Sequence, residues 1–361
     1  MKPPFRADHV GSLVRPPELA EARAQFADGV LTAEELANVE HKAIAAIVRR
    51  QESIGLESIT EGEFGRDWWH IDFLTQLDGV TTRANYGPQF GGAGDQPPVA
   101  TVTDKVDCSK PIMVNQFEYL QSIVRATPKF TIPSPSMLHI RGGRKAISSD
   151  AYPELDEFWA DVSAAYRKAI VWFAAAGCSY LQLDDVAFSY LCDPAVRENC
   201  RRNGDDPKPL ARRYADTINS ILADKPAGMT VTMHTCRGNF RGAWVAEGGY
   251  EAVAEAMFSI DVDGFFMEFD SARAGTFEPL RFLPEGKKAV LGLVTTKVGK
   301  MEKKDLLKRR IDAAARFVPL ENLCLSPQCG FSSTHHGAAV SEVGQWRKLE
   351  LVVDTAHEVW G

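Results

Sequence analysis

The sequence predicts an α/β protein, a (β/α)8 TIM barrel in a single domain over residues 1–361, with long loops after some strands. Three observations predict it. From about residue 129 onward, short β-type runs alternate with helical ones, the pattern of a parallel sheet covered by helices. Eight strand candidates can be counted in all, the number such a barrel needs. Histidine, cysteine and carboxylate side chains gather just after those runs, on the rim where a barrel carries its site. The runner-up is a doubly wound open sheet. No G-x-G-x-x-G follows the first strand, so dinucleotide binding has no support.

The elements read in order as follows. Phe5 to Ser12 is a first short strand. Thr32-x-x-Glu35 is a capping box that opens a helix carrying Leu36, Val39, Ala43, Ile47 and Ile54 on one face and ending at Gly55. Glu57 to Glu61 is a second strand, running into Gly62-Glu63-Phe64. The stretch from Tyr86 to Ala100 is dense in glycine and proline and is expected to be loop or lid. A helix near Val114 to Val124 leads to a strand at Lys129 to Ile132, stopped by Pro133. Beyond it lie a helix at Pro153 to Ala176, a strand at Tyr180 to Asp184, a helix at Leu210 to Leu222 and a strand at Met229 to His234. A helix at Tyr250 to Ile260, strands at Gly264 to Phe269 and Ala289 to Val294, and a helix at Asp305 to Phe317 follow. A strand at Leu323 to Ser326 and a helix at Ser341 to Trp360 complete the chain.

Composition bounds the function. The chain is 45% hydrophobic and 25% charged, with a formal net charge of −7 and no long basic run, which argues against nucleic acid. No apolar run approaches a membrane span, and the N-terminus lacks the apolar region of a signal peptide. Seven cysteines at irregular spacing do not form a disulfide framework, so a reducing cytoplasm is expected.

The chemistry-bearing residues sit at strand ends. His234 and Cys236 are two apart on one strand, so they point the same way and can approach one ion. Imidazole and thiolate together suit zinc. Ser12, Glu61 and Glu63, Asp184 and Asp185, Glu268 and Asp270, and Cys329 fall at the ends of other strands. Each has a plainer reading. Cys329 can be a small buried hydrophobe, as Cys108, Cys178, Cys192, Cys200 and Cys324 are taken to be. Asp184 can cap a helix, and Glu268 can pair with Arg273 or Arg281. His335-His336 reads as loop surface, and Trp68-Trp69 as core or a loop anchor. Convergence on one rim favours the functional reading for the residues that share it.

Several of these segments carry a resemblance. His234-Thr-Cys236, Met267-Glu-Phe-Asp-Ser271 and Ser326-Pro-Gln-Cys-Gly-Phe331 resemble the zinc motifs of the cobalamin-independent methionine synthase family, most closely its short, single-barrel members. RADHVGSLVRP at 6–16, EGEFGR at 61–66, LQLDD at 181–185 and the C-terminal QWRKLELVVDTAHEVWG extend the similarity over nearly the whole chain. The resemblance implies zinc held by His234, Cys236, Glu268 and Cys329, and an amino-acid thiol held by Ser12, Glu63 and Asp184. It implies methyl transfer to homocysteine, giving methionine. Glu268, the hardest donor of the four, would be the exchangeable ligand. The Glu63 and Asp184 carboxylates would hold the α-ammonium group of the thiol substrate.

The donor half departs from the pattern. Folate-dependent members carry an Asp-x-His on strand seven, where this chain has Leu291 to Lys297 with neither acid nor histidine. The folate segment of strand three is not recognisable in Phe130 to Leu138. The expected partners are therefore a small-molecule thiol and an alkyl donor for which methyltetrahydrofolate has lost its sequence support, with a small S- or O-methyl compound or a corrinoid methyl-carrier protein in its place. Two alternatives stand. One is opening of an epoxide by coenzyme M, with Arg237 or Arg241 meeting the sulfonate, which Glu63 and Asp184 would repel. The other is a non-catalytic barrel stabilised by zinc.

Overall fold

A computed structural model describes residues 2–84, 98–239 and 242–361. Two N-terminal helices, α1 (Pro17–Ala27) and α2 (Ala33–Ser53), precede the two-residue strand β1 (Ser58–Ile59). A short helix α3 (Ile71–Leu74) leads to strands β2 (Asp78–Arg83) and β3 (Val99–Asp107), then α4 (Val114–Ile123), β4 (Thr127–Pro128) and β5 (Phe130–Pro133). Next come α5 (Leu155–Ala175), β6 (Tyr180–Asp185), α6 (Ala187–Tyr190), α7 (Pro194–Arg202), α8 (Pro207–Leu222) and β7 (Thr230–Thr235). Helix α9 (Ala254–Phe258), β8 (Gly264–Glu268), β9 (Lys288–Val294), α10 (Lys304–Ala314), β10 (Leu323–Pro327) and α11 (Glu342–Trp360) complete the order.

Local chemistry explains the helix boundaries. The Thr32–Glu35 capping box is formed in full, side chain to backbone in both directions. Asp193 and Asp206 cap α7 and α8, each followed by proline at the first helical position, where its missing N–H costs nothing. On α5, Phe158, Val162, Tyr166, Ala169 and Phe173 recur at helical spacing and form its buried face.

Strands β5 to β10 form one parallel sheet in the order β10-β9-β8-β7-β6-β5. Strands β6, β7, β8 and β10 are buried almost throughout, which is why they read as near-continuous apolar runs rather than alternating ones. The N-terminal segment pairs with β10 through a parallel bridge between Ala7 and Leu325, with Asp8 N–H donating to Leu325 O at 3.0 Å. Strand β1 pairs parallel with β4, and Lys129 N–H donates to Ile59 O at 2.8 Å. Between these segments, Thr60 Oγ1 donates to Gly11 O at 2.7 Å and Leu13 N–H to Gly62 O at 3.1 Å. The predicted first two strands are thus a single bridge and two residues, because side-chain bonds replace much of their ladder.

Two other expectations change. The glycine- and proline-rich loop was predicted to run to Ala100, but Val99 and Ala100 open β3, which pairs antiparallel with β2. Residues 85–97 lie outside the described residues. The helix expected over 250–260 is a 3-10 turn at Tyr250–Ala252 followed by the short α9.

A buried polar cluster ties the N-terminal segment to the sheet. Asp8 accepts from Lys129 Nζ at 3.1 Å, Ser58 Oγ at 2.7 Å and Tyr180 Oη at 2.9 Å. Lys129 also donates to His9 O at 2.6 Å and lies 4.0 Å from the Phe266 ring centroid. Both charged side chains of the pair are fully buried. Breaking such a pair leaves one charge stranded in a low-dielectric interior. Lys129→Met is therefore expected to destabilise the fold by about 3–5 kcal/mol, read as a lowered urea midpoint at unchanged slope.

Candidate active site

Parallel register sets the site. Asp184 on β6 is opposite His234 on β7, which is opposite Phe266 on β8, two residues before Glu268. Cys236 follows β7 directly and Cys329 lies two residues beyond β10. One donor atom from each of His234, Cys236, Glu268 and Cys329 lies within 4.8 Å of all the others, and all four residues are buried. The Cys236 and Cys329 sulfurs are 3.4 Å apart. Neither ring nitrogen of His234 makes a well-formed hydrogen bond among the described residues, although the neighbouring Cys236 sulfur is close enough to raise its pKa against burial.

These details fit a bound cation. A buried imidazole without a partner is costly unless something else uses its lone pair. Hydrogen bonding to Cys329, with burial, pushes the Cys236 thiol well above its usual range. A metal ion placed between the sulfurs reverses that balance. Glu268 completes the set. Burial alone would raise its pKa, but Lys297 and Arg273, together with the Arg237 N–H, hold it below the ordinary carboxylate value. Its Oε1 accepts from Arg237 N–H at 2.9 Å and its Oε2 from Arg273 Nη2 at 2.9 Å. The pairing of Glu268 with Arg273 anticipated from sequence is therefore present alongside its place in the cluster, whereas Arg281 pairs with Glu251.

A second group faces the same cavity. Ser12, Glu63 and Asp184 line it together with His234, Cys236 and Cys329. Glu63 is one of two described non-glycine residues at positive φ, at 60°, a strained conformation of the kind found at binding sites. Its Oε1 accepts from Thr131 Oγ1 at 3.2 Å, while its Oε2 has no partner among the described residues. Burial raises the Glu63 pKa to about 7, with Arg66 opposing and Asp184 adding to the shift. Burial also raises Asp184, against the Gln182 amide that donates to its Oδ1 at 2.7 Å. Gly330 lets the two halves meet: a Cβ there would fall 2.0 Å from Ser12 Oγ.

Several sequence readings are revised. Arg237 is fully buried with its guanidinium 4.6 Å over the Tyr250 ring, and it does not line the cavity. Arg241, the other candidate for a sulfonate, lies outside the described residues. Trp68 and Trp69 pack partly against the core but also line the cavity. The bond to the first turn of α6 comes from Asp185, which lies one residue before the N-cap Val186 and accepts from Phe188 N–H at 3.0 Å, and not from Asp184. His9 is absent from the cavity wall; burial, then Lys129, lowers its pKa to about 4, and its Nε2 lies 3.2 Å from Ser58 O. His335 and His336 pack at a tilt against each other and meet Trp68 edge-on and at a tilt. The remaining cysteines are buried and free.

Sequence reasoning missed Arg141 and Asn239, which line the cavity, and Arg15 behind it. Arg141 Nη1 donates to His70 Nε2 at 2.9 Å, and Arg15 holds the backbone oxygens of Glu63, Arg66, Ser332 and Thr334. Arg15 falls inside a segment that carried the resemblance. Arg141 gives no signal beyond its glycine-rich loop. The strand-seven run ends in Lys297, buried, with Nζ donating at 3.0 Å to the backbone oxygen of Gly238, a cavity-lining residue.

Residues 5–353 match the model of the cobalamin-independent synthase catalytic domain. The chain belongs to that family. Members of the cobalamin-independent synthase family are methionine synthase-like methyltransferases. The uncharacterized protein YxjH of Bacillus subtilis is 47% identical over 99% of this chain and 96% of its own. A Listeria monocytogenes crystal structure, titled as a candidate vitamin-B12 independent methionine synthase, superposes with a TM-score of 0.80 at 38% identity, covering 100% of this chain and 99% of that one. The 5-methyltetrahydropteroyltriglutamate–homocysteine methyltransferase of Flavobacterium johnsoniae is 22% identical over 92% of this chain but only 40% of its own length. The chain thus spans under half of that larger relative.

The donor set predicts metal stoichiometry. The purified protein is expected to bind one zinc ion per chain in a chelator competition. Cys236→Ser and Cys329→Ser should each weaken binding beyond the roughly 10–100-fold typical of losing an outer-sphere partner. Cys324→Ser, with its sulfur 3.8 Å from Pro4 O on the core side, should leave affinity unchanged.

Proposed function

We propose that this protein is a zinc-dependent thiol alkyltransferase that methylates homocysteine to methionine, with a donor other than methyltetrahydrofolate. The observation that carries the reading is the shared cavity: His234, Cys236 and Cys329 of the buried His-Cys-Glu-Cys donor set line it together with an acidic pair and a serine. His234, Cys236, Glu268 and Cys329 would hold the zinc. When bound, zinc lowers the pKa of a thiol brought beside it and so favours the sulfur nucleophile at neutral pH.

The remaining work falls to the chain. The Glu63 and Asp184 carboxylates hold the α-ammonium group and so fix the distance from the amino-acid end to the sulfur. Ser12 Oγ donates to the α-carboxylate. Burial strengthens these charge-assisted bonds and keeps water from the nucleophile. The thiol proton leaves to solvent as the thiol binds; the sulfur then attacks the methyl carbon in line, and the bond from carbon to its donor breaks with its electron pair leaving on the donor. The donor is a small S- or O-methyl compound or a methyl-corrinoid carrier; the run Leu291 to Lys297 at the end of β9, with neither acid nor histidine, supports a donor unlike the folate one. We also infer that residues 1–361 form one domain and that the sheet closes into a (β/α)8 barrel. The bonds from β10 through segment 6–13 to β1 and β4 support that closure.

Two readings compete. Coenzyme M has no ammonium group, and its sulfonate would face Glu63 and Asp184 without help from the buried Arg237. A purely structural zinc would need no acidic pair in the same cavity. Calorimetry of the zinc-loaded protein in two buffers of different ionisation enthalpy separates all three. Binding with near-stoichiometric proton release is expected for homocysteine and not for coenzyme M; no release with either would sink the proposal.

The acidic pair also predicts a pH profile. Glu63 must be ionised to accept the ammonium group, and its pKa in the free protein is raised to about 7. Affinity for homocysteine should therefore hold above that pH and fall as pH drops through it, up to tenfold per unit for that one group. Glu63→Gln should remove that step and weaken binding roughly ten- to a hundredfold, the loss of one charge-assisted bond.

A further inference from the structure

Glu268 sits between the cluster and two hydrogen-bond donors, Arg237 N–H and Arg273 Nη2. Both its oxygens already accept hydrogen bonds, and its side chain is fully buried. If it also ligates a metal, a thiol that joins the metal must displace it. A displaced carboxylate at this depth cannot find water, and a stranded buried charge is very costly. The protein must therefore supply the place it goes.

Three cations lie close to Glu268, and the structure distinguishes them. The Arg237 guanidinium is turned over the Tyr250 ring, and only its backbone N–H meets the carboxylate. Lys297 Nζ donates to Gly238 O and acts on Glu268 through its charge, without an ion-pair contact among the described residues. Arg273 alone among the described residues bonds Glu268 by its cationic side chain. Its Nη2 is shared between Glu268 Oε2 and Asp270 Oδ1, each at 2.9 Å. The guanidinium is held from outside by the Trp244 ring, 4.9 Å away. Its backbone is pinned too: Arg273 O accepts from Gly248 N–H at 2.9 Å. The following turn passes so close to Gly249 that a Cβ on Gly275, at φ 75°, would lie 2.7 Å from its Cα.

We propose that Arg273 is a positioning residue that competes with the metal for Glu268 and receives its carboxylate when a thiol enters. Asp270 tunes that competition by sharing the same guanidinium nitrogen. The inference rests on the reading that Glu268 is an exchangeable metal ligand.

The two variants that follow from it should move in opposite directions. In Arg273→Met the carboxylate has lost its competitor. Zinc affinity by chelator competition should rise roughly tenfold and homocysteine affinity by calorimetry should fall roughly tenfold, the size of one charge-assisted hydrogen bond. In Asp270→Asn the guanidinium is freed for Glu268, so zinc should weaken while homocysteine tightens. Arg273→Lys, keeping the charge, should restore both values to within a fewfold of wild type. An ordinary outer-sphere partner behaves differently, since its loss weakens the metal. Loss of both affinities together in Arg273→Met, or no change in either, overturns the proposal. If Arg273→Met does not fold, Asp270→Asn carries the test, and zinc and homocysteine affinities moving in the same direction there overturn it. If wild-type protein binds zinc but no homocysteine, the thiol-transfer reading fails by itself, and the sign of the zinc change in either variant still decides the role of Arg273.

Discussion

The site depends on one electrostatic constraint: two thiols, an imidazole and a carboxylate are packed within 4.8 Å of one another in the protein interior. Without a cation this arrangement is unfavourable. Hydrogen bonding to Cys329 and burial raise the proton affinity of Cys236, the imidazole makes no well-formed hydrogen bond among the described residues, and the carboxylate borrows Arg273 and a backbone N–H. With a cation, the same crowding becomes a donor set. The surroundings are organised accordingly: Lys297 and Arg273 hold Glu268 ionised, and Glu63 and Asp184 line the same cavity as His234 and the two cysteines.

Rigidity comes from the sheet below. Parallel pairing of β6, β7 and β8 places Asp184, His234 and Glu268 side by side, because adjacent strands in register bring their ends to one level. The opposite wall is less regular. Ser12 and Glu63 come from segments with little backbone ladder, and these are anchored instead by Asp8 and Lys129 inside the fold and by Arg15 behind the cavity. Strain at Glu63 and the close approach of Gly330 to Ser12 are tolerated because that anchoring over-determines them.

Accuracy of the sequence reading follows the same division. Strands β6 to β10 were legible to within a residue or two, since burial on both faces leaves long apolar runs bounded by proline, glycine or charge. The antiparallel pair β2 and β3 was not, because β3 follows a glycine- and proline-rich run and lacks a clean in–out alternation. The neighbouring Asp184 and Asp185 could not be told apart by type: one faces the cavity and the other bonds the first turn of a helix, and only side-chain direction separates them.

The sequence by itself determined the strand–helix alternation, the residues at each strand end and the family, because periodicity and short motifs are properties of neighbours along the chain. Tertiary structure alone decided that His234, Cys236, Glu268 and Cys329 meet, that Arg237 turns away to Tyr250, and that Arg273 grips both Glu268 and Asp270. Those are relations between segments up to 95 positions apart, from His234 to Cys329. They are set by strand register and by where a buried charge can find a partner, and neither is written in local sequence.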